Sequence, residues 1–326
     1  MPTSGGITQA RARLGFEPVK ELFERVAVPV AEELTRGAFL GPWRLMAIDG
    51  FDWDVPDAKA NLAEFGRAGS GEGASAFPKV RVVTVSECAS HAMVAARIGP
   101  YTGKGSGEQS LARDLYRRLE RDWLLVADRN FYNFADWCTA AGTGAALLWR
   151  VKSDLTLPLL RLEPDGSYLT VLINPTVRGK AREQLIAMAK AGKDLDPAKG
   201  RYARAVEYTV PDRDGDGELI CLVTTITDFA QAPAQALAET YHERWQHENA
   251  NNQIKTHLRG PGRVLRSKSP DMVRQEIYGY LLTHYAISAL ICRAATEAGI
   301  DPDRVKFKRT VRIVRGRAAG PAAFPP

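Results

Sequence analysis

The chain has 326 residues, 45% of them hydrophobic and 25% charged, enough for one large domain or two ordinary ones and too apolar for a disordered chain. Its formal charge of +6 and pI near 9.1 admit a polyanionic partner without requiring one. Four dispersed cysteines without a Cys-x-x-Cys pair argue against a zinc site or a disulfide scaffold and suit a reducing cytoplasm. The polar first residues hold no signal peptide, and the longest apolar stretch, Tyr278 to Cys292, is too short to span a bilayer.

In chain order, residues 8–36 read as helical, with Leu14, Val19, Leu22, Phe23, Val26 and Val30 near helical spacing and Pro18 and Pro29 as breaks. Trp43–Ile48 is a short apolar strand, and Asp49-Gly50 follows as a turn or the start of a second strand. Residues 66–76 are Gly-rich and read as a flexible loop. Lys79–Glu87 is a β-branched strand, and Ser110–Leu119 an amphipathic helix. Trp123–Ala127 is a buried strand ending at Asp128, followed by a helix over Phe134–Ala141 and a strand over Ala145–Val151.

From 153 to 227 the texture changes. Leu157–Leu162, Tyr168–Ile173, Ala203–Val210 and Leu219–Ile226 read as strands, with Asp165-Gly166 as a tight turn and residues 180–200 as loop with some helix. This stretch reads as a β-rich insertion. A long helix is expected from about Ala232 to Leu258, and a second opens at Ser269-Pro270 and runs to about Glu297. A strongly basic tail, Arg304 to Arg317, follows.

The acidic run Asp212 to Glu218 invites a calcium-loop reading, but the twelfth position is Val223 and not the bidentate Glu such a loop needs. It reads instead as a hairpin turn. Asp49 and Asp128 each close a short apolar strand, where open α/β sheets gather ligands. Singly, each is better explained as a turn former or helix cap. Together they could share a divalent metal if a third ligand exists. Glu248 is the candidate, on a helical stripe roughly 60° wide with Tyr241, Arg244 and Lys255. The plainer alternative is an Arg244–Glu248 ion pair one turn apart. Lys255, Arg259, Arg263, Arg266, Lys268, Arg274 and the basic tail form either a solvated face or a DNA path.

The run Tyr241-x2-Arg244-x3-Glu248-x6-Lys255 resembles the Tyr-Arg-Glu-Lys signature of DDE transposases of the insertion sequence 4 group, in all four residues and all three spacings. Ala47-Ile-Asp49-Gly50 resembles the family's first-aspartate segment, Leu125-Val-Ala-Asp128-Arg-Asn-Phe131 its second, and Leu265-Arg-Ser-Lys-Ser-Pro270 the stretch after the signature. The resemblance covers roughly residues 7 to 320. It implies an α/β, RNase H-like mixed sheet flanked by helices, with a β-rich insertion before the last catalytic helix. The expected organisation is a helical N-terminal remnant over 1–40, a discontinuous catalytic domain over 41–152 and 228–300, the insertion over 153–227 and a basic tail over 301–326.

The resemblance further implies that Asp49, Asp128 and Glu248 bind two Mg²⁺ ions, with Mn²⁺ as a substitute, and that Tyr241, Arg244 and Lys255 contact DNA phosphates. The activity implied is cut-and-paste transposition: nicking at the element end, hairpin formation and opening, then joining to target DNA. Partners would be double-stranded DNA, at the element ends and the target, and a second copy of the chain assembled on it. The location implied is a bacterial cytoplasm, at the nucleoid. Members of the family carry a longer N-terminal helical region and a longer C-terminus, which leaves open an alternative-start product or a truncated, decayed copy. Two alternatives stand beside an active transposase: a DNA-binding remnant without turnover, and an RNase H-like nuclease unconnected with mobility.

Overall fold

The computed structural model describes residues 3–210, 217–260, 262 and 264–318. The helices are α1 (Ser4–Leu14), α2 (Glu17–Val26), α3 (Lys59–Phe65), α4 (Glu108–Tyr116), α5 (Phe134–Ala141), α6 (Gly179–Lys190), α7 (Ala234–His242), α8 (Arg244–Asn252), α9 (Pro270–Glu297) and α10 (Phe307–Ala318). A π-helical segment, Gln253–Leu258, continues α8. The strands are β1 (Phe39–Leu40), β2 (Trp43–Asp54), β3 (Lys79–Glu87), β4 (Met93–Pro100), β5 (Trp123–Ala127), β6 (Ala146–Val151), β7 (Arg161–Leu162), β8 (Tyr168–Ile173), β9 (Gly200–Val210) and β10 (Glu218–Thr224). The fold is mixed α/β, as the sequence predicts. It divides into two compact units: Met1–Ala38, Asp49–Leu111 and Gln246–Pro326 form one, Phe39–Ile48 and Ala112–Trp245 the other.

In the first unit the strand order is β4, β3 and the C-terminal half of β2. Phe51, Trp53 and Val55 are buried and alternate with Asp52 and Asp54, which pair with Arg81 at 3.0 Å and Lys79 at 2.7 Å. This period of two carries the strand straight through Asp49-Gly50, which is therefore neither a turn nor a strand end. The Asp-Gly pair reads as a turn locally, and the pairing partners on β3 override it. Strand β4 pairs antiparallel with β3 and is absent from the sequence-based prediction; its Ala-Ala and Gly have little strand propensity. Helix α9 buries Val273, Ile277, Leu281, His284, Ser288, Ile291 and Ala295, one stripe at helical spacing. Each fully buried Ile or Leu of that stripe contributes about 1.5–3 kcal/mol. Its start is as expected, with Ser269 as extended N-cap and Pro270 in the first turn.

The N-terminal helical segment is two helices and ends at Val26; residues 27–36 are not helical. There the chain is held instead by Glu87, whose carboxylate accepts from the backbone N–H of Val30 at 3.1 Å and Ala31 at 3.0 Å and from the Ser90 hydroxyl at 2.5 Å. The basic tail is an amphipathic helix, α10, with Phe307 and Val311 buried in the same core as Ile254 and Leu258 of the π-helical segment.

In the second unit the N-terminal half of β2 pairs in parallel with β5, and β5 with β6. All five residues of β5 are buried, matching the unbroken apolar runs of strands covered on both faces. Strands β10, β9, β8 and β7 follow in antiparallel order. The expected strand over Leu157–Leu162 shrinks to Arg161–Leu162, because Pro158 has no N–H to give a ladder. Residues 211–216 of the acidic run lie outside the described residues, as does Arg263.

Candidate active site

Strand β2 and helix α8 bring Asp49 and Glu248 to one cavity of about 560 Å³ in the first unit, and Lys255 of the π-helical segment lines it too. Asn251, three residues after Glu248 and buried, donates from Nδ2 to Asp49 Oδ2 at 3.2 Å. Glu108, at the start of α4, lies over Gly50: a Cβ there would fall 2.5 Å from its Oε1 and 2.8 Å from its Cγ. A side chain at position 50 would push the Glu108 carboxylate off the strand. Lys79 and Asp52 complete the wall and are neutralised by Asp54 and Arg81. Arg81 is held above its ordinary pKa: burial works against the charge, and the hydrogen bond and charge of Asp52, with Glu108 behind it, outweigh burial.

The expected long helix is interrupted. Helix α7 ends at His242, Glu243 turns back on Thr240 with a backbone bond of 3.1 Å, and α8 begins at Arg244. Nothing in the local composition explains the break. The signature is thus split, with Tyr241 on α7, Arg244 and Glu248 on α8 and Lys255 on π-helical backbone. The π-helical segment is anchored by its first residue. Gln253 Nε2 lies 2.7 Å from His91 Nδ1 and its Oε1 accepts from His284 Nε2 at 3.1 Å. His91, at the β3–β4 turn, takes φ +59°, and its Nε2 lies 3.0 Å from Asp303 Oδ1. Such π-helical turns recur at functional sites.

Asp128 and Tyr241 belong to the second unit. Asp128 follows directly on β5, and Tyr241 donates from its hydroxyl to Asp128 Oδ1 at 3.4 Å. Burial pushes the Tyr241 phenol up to about 12; Asp128 adds to the shift, while Arg244 and Arg150 oppose it. The Arg244 guanidinium lies 5.9 Å from the Tyr241 ring centroid, a cation–π distance. Arg150 hydrogen-bonds Glu218, and the nearby charges of Glu218, Tyr241 and Asp128 outweigh burial to raise its pKa.

The structure therefore brings together Asp49, Glu248 and Lys255, and separately Asp128, Tyr241 and Arg244. Among the described residues, no three His, Cys, Asp or Glu side chains come together closely enough to hold a metal. The sequence-based reading missed Asn251, Glu108 and Arg150. Asn251 could have been found one turn beyond Glu248; Glu108 and Arg150 had no local signal. No helix among the described residues is long and apolar enough to cross a membrane.

The transposase DDE domain family matches residues 42–285. "Transposase InsG for insertion sequence element IS4" of Escherichia coli (strain K12) is 28% identical over 313 residues, covering 94% of this chain and 66% of that protein. "Putative transposase InsZ" of the same bacterium is 30% identical over 129 residues, covering 39% of this chain and 42% of that protein. A solved structure of the piggyBac transposase synaptic complex with hairpin DNA is similar at 11% identity and a TM-score of 0.47, covering 85% of this chain and 54% of that one. The chain thus spans just under two thirds of the length of the first of these relatives and less of the others. The family match takes in Asp49, Asp128 and the whole run from Tyr241 to Lys255, and the chain belongs to the transposase DDE domain family.

Proposed function

We propose that the chain catalyses Mg²⁺-dependent cleavage and strand transfer of DNA, moving an insertion sequence by cut-and-paste transposition. One observation carries this reading: Asp49 and Glu248, some two hundred positions apart in sequence, line one cavity together with Lys255. Asp49 and Glu248 offer the hard oxygen donors that a divalent cation prefers, and the cavity they line leaves room for water and phosphate. Asp49, Glu248 and Asp128 are the proposed ligands of two Mg²⁺ ions, with Mn²⁺ as a substitute. Bound there, the ions would activate a water or 3′-hydroxyl and stabilise the departing oxygen of an in-line displacement.

The chain's own groups have distinct tasks in this reading. Asn251 holds the Asp49 carboxylate through its amide N–H. Tyr241, a neutral phenol, orients Asp128 through its hydroxyl. Lys255 and Arg244 meet the phosphates of double-stranded DNA, at the element end and then at the target, with a second copy of the chain assembled on the same DNA. The proposed organisation is a helical start over 1–40, a catalytic domain over 41–152 and 228–300, a β-rich insertion over 153–227 and a basic C-terminal segment over 301–326.

The test is a cleavage assay on DNA carrying the element's own ends, with and without Mg²⁺. Metal-dependent nicking and joining of a 3′-hydroxyl end to a second duplex, both lost in Asp49→Ala, are expected. DNA retention with no cleavage under any metal would refute catalysis, and nicking without joining would refute strand transfer.

A further inference from the structure

A second cavity, of about 320 Å³, opens in the first unit and shares Asn252 with the acidic one. Its wall has the opposite character. Lys306 immediately precedes α10 and Lys308 lies in its first turn, while His257 comes from the π-helical segment and Asn249 from α8. Both lysines and Asn249 are exposed, and His257 is half-buried. Among the described residues, neither Lys306 nor Lys308 has an ion-pair partner, whereas Lys20, Lys79 and Lys199 each have one. The cavity's carboxylate, Asp303, lies 3.0 Å from His91 Nε2. Two uncompensated ammonium groups, the His257 imidazole and the Asn249 and Asn252 amides around one concave surface are the donor chemistry of a phosphodiester site.

The cavity is fixed to the catalytic helix and not merely near it. Phe307 and Val311 pack α10 into the core that holds Ile254 and Leu258, and Arg315 Nη2 donates to the Leu258 carbonyl at 3.2 Å. Beyond the cavity, Arg309, Arg312 and Arg317 continue along the exposed side of α10. The path from Glu248 over Asn252 to Lys306 and Lys308 thus runs from the reacting centre onto a basic ridge.

Resting on the proposed function, we infer that this second cavity is a dedicated DNA-backbone site. It takes the duplex that enters the acidic cavity and holds phosphates away from the scissile bond through Lys306, Lys308 and His257. The site would add affinity independent of base sequence, because backbone phosphates are the same at every step of a duplex.

The test is the salt dependence of binding, by fluorescence anisotropy, of a labelled duplex bearing the element's own end. Each phosphate contact contributes about 0.9 to the slope of log K against log salt, so Lys306→Ala/Lys308→Ala is expected to flatten that slope by about 1–2. Lys306→Arg/Lys308→Arg should retain it, and Lys180→Ala/Arg182→Ala, on α6 of the other unit, should leave it alone. Asn252→Asp, which places a negative charge between the two cavities, should weaken binding of the same duplex. A wild-type slope in the double-alanine variant would overturn the inference and leave the proposed function standing. A wild-type protein without salt-dependent affinity for the duplex would overturn both.

Discussion

Tyr241 shows how burial sets the chemistry of a single side chain. Its hydroxyl points at Asp128, and its pKa is raised from the ordinary phenol value of 10 to about 12. The neutral form is favoured by folding, so its contribution is complete below pH 10 and is lost as pH rises from 10 through about 12. The two-unit shift corresponds to stability on the order of 2–3 kcal/mol. Spectrophotometric titration of wild type against Tyr241→Phe should remove one late-titrating tyrosine; a tyrosine lost at the normal position would contradict the burial argument. Because the bond is long, Tyr241→Phe should cost only about 1 kcal/mol of stability in a denaturant melt. Asp49 and Glu248 behave differently. Asp49→Asn and Glu248→Gln keep size and remove charge, so stability should change little while metal-dependent nicking falls by about a thousandfold, roughly 4 kcal/mol of barrier. A variant that keeps a tenth of wild-type nicking would exclude that residue as a metal ligand.

At the scale of elements, two polar side chains, buried Glu87 and half-buried Gln253, anchor segments that depart from ordinary helix or strand. Glu87, at the end of β3, satisfies the Val30 and Ala31 amides where the N-terminal chain leaves helical structure. Truncation would leave both donors without that acceptor in a buried setting. Glu87→Ala should lower stability by about 3 kcal/mol, while an exposed control such as Glu21→Ala should be nearly silent. Gln253 does the same for the π-helical segment, bridging His91 and His284. Gln253→Leu keeps the volume but removes both bonds, and a loss of about 1–3 kcal/mol in thermal unfolding is expected. If Gln253→Leu melted with wild type, the π-helical geometry would have to be held by packing of Ile254 and Leu258 alone.

At the scale of the whole molecule, acidic and basic groups are sorted along the chain. Glu108, Asp49 and Glu248 line one cavity together with Lys79 and Lys255, and Lys306 and Lys308 line another, with the arginines of α10 beyond it. Carboxylates brought together repel unless a cation joins them, so a divalent ion bound only by the folded chain should stabilise it. Mg²⁺ at a hundredfold excess over its Kd should add about 2.7 kcal/mol. The rise in Tm should vanish in the Asp49→Asn/Glu248→Gln double variant. An equal rise in that variant would place the responsible ion elsewhere.

Strands β3, β5 and β8 and helix α5 have the bounds read from sequence, because a run of β-branched or apolar residues, or an Asn cap before an apolar helix, is a local signal. Membership of the DDE family was likewise legible, since four residues at set spacings need no coordinates to be recognised. Tertiary pairing decided the rest. Asp49-Gly50 became mid-strand because β3 offers cations to Asp52 and Asp54, and the basic tail became a helix because Phe307 and Val311 found an apolar floor. The company of Glu248, with Asn251, Glu108 and Lys255 around one cavity, depends on which distant segments the fold brings together. A carboxylate's neighbours in space are set by long-range packing, and no local run of residues encodes them.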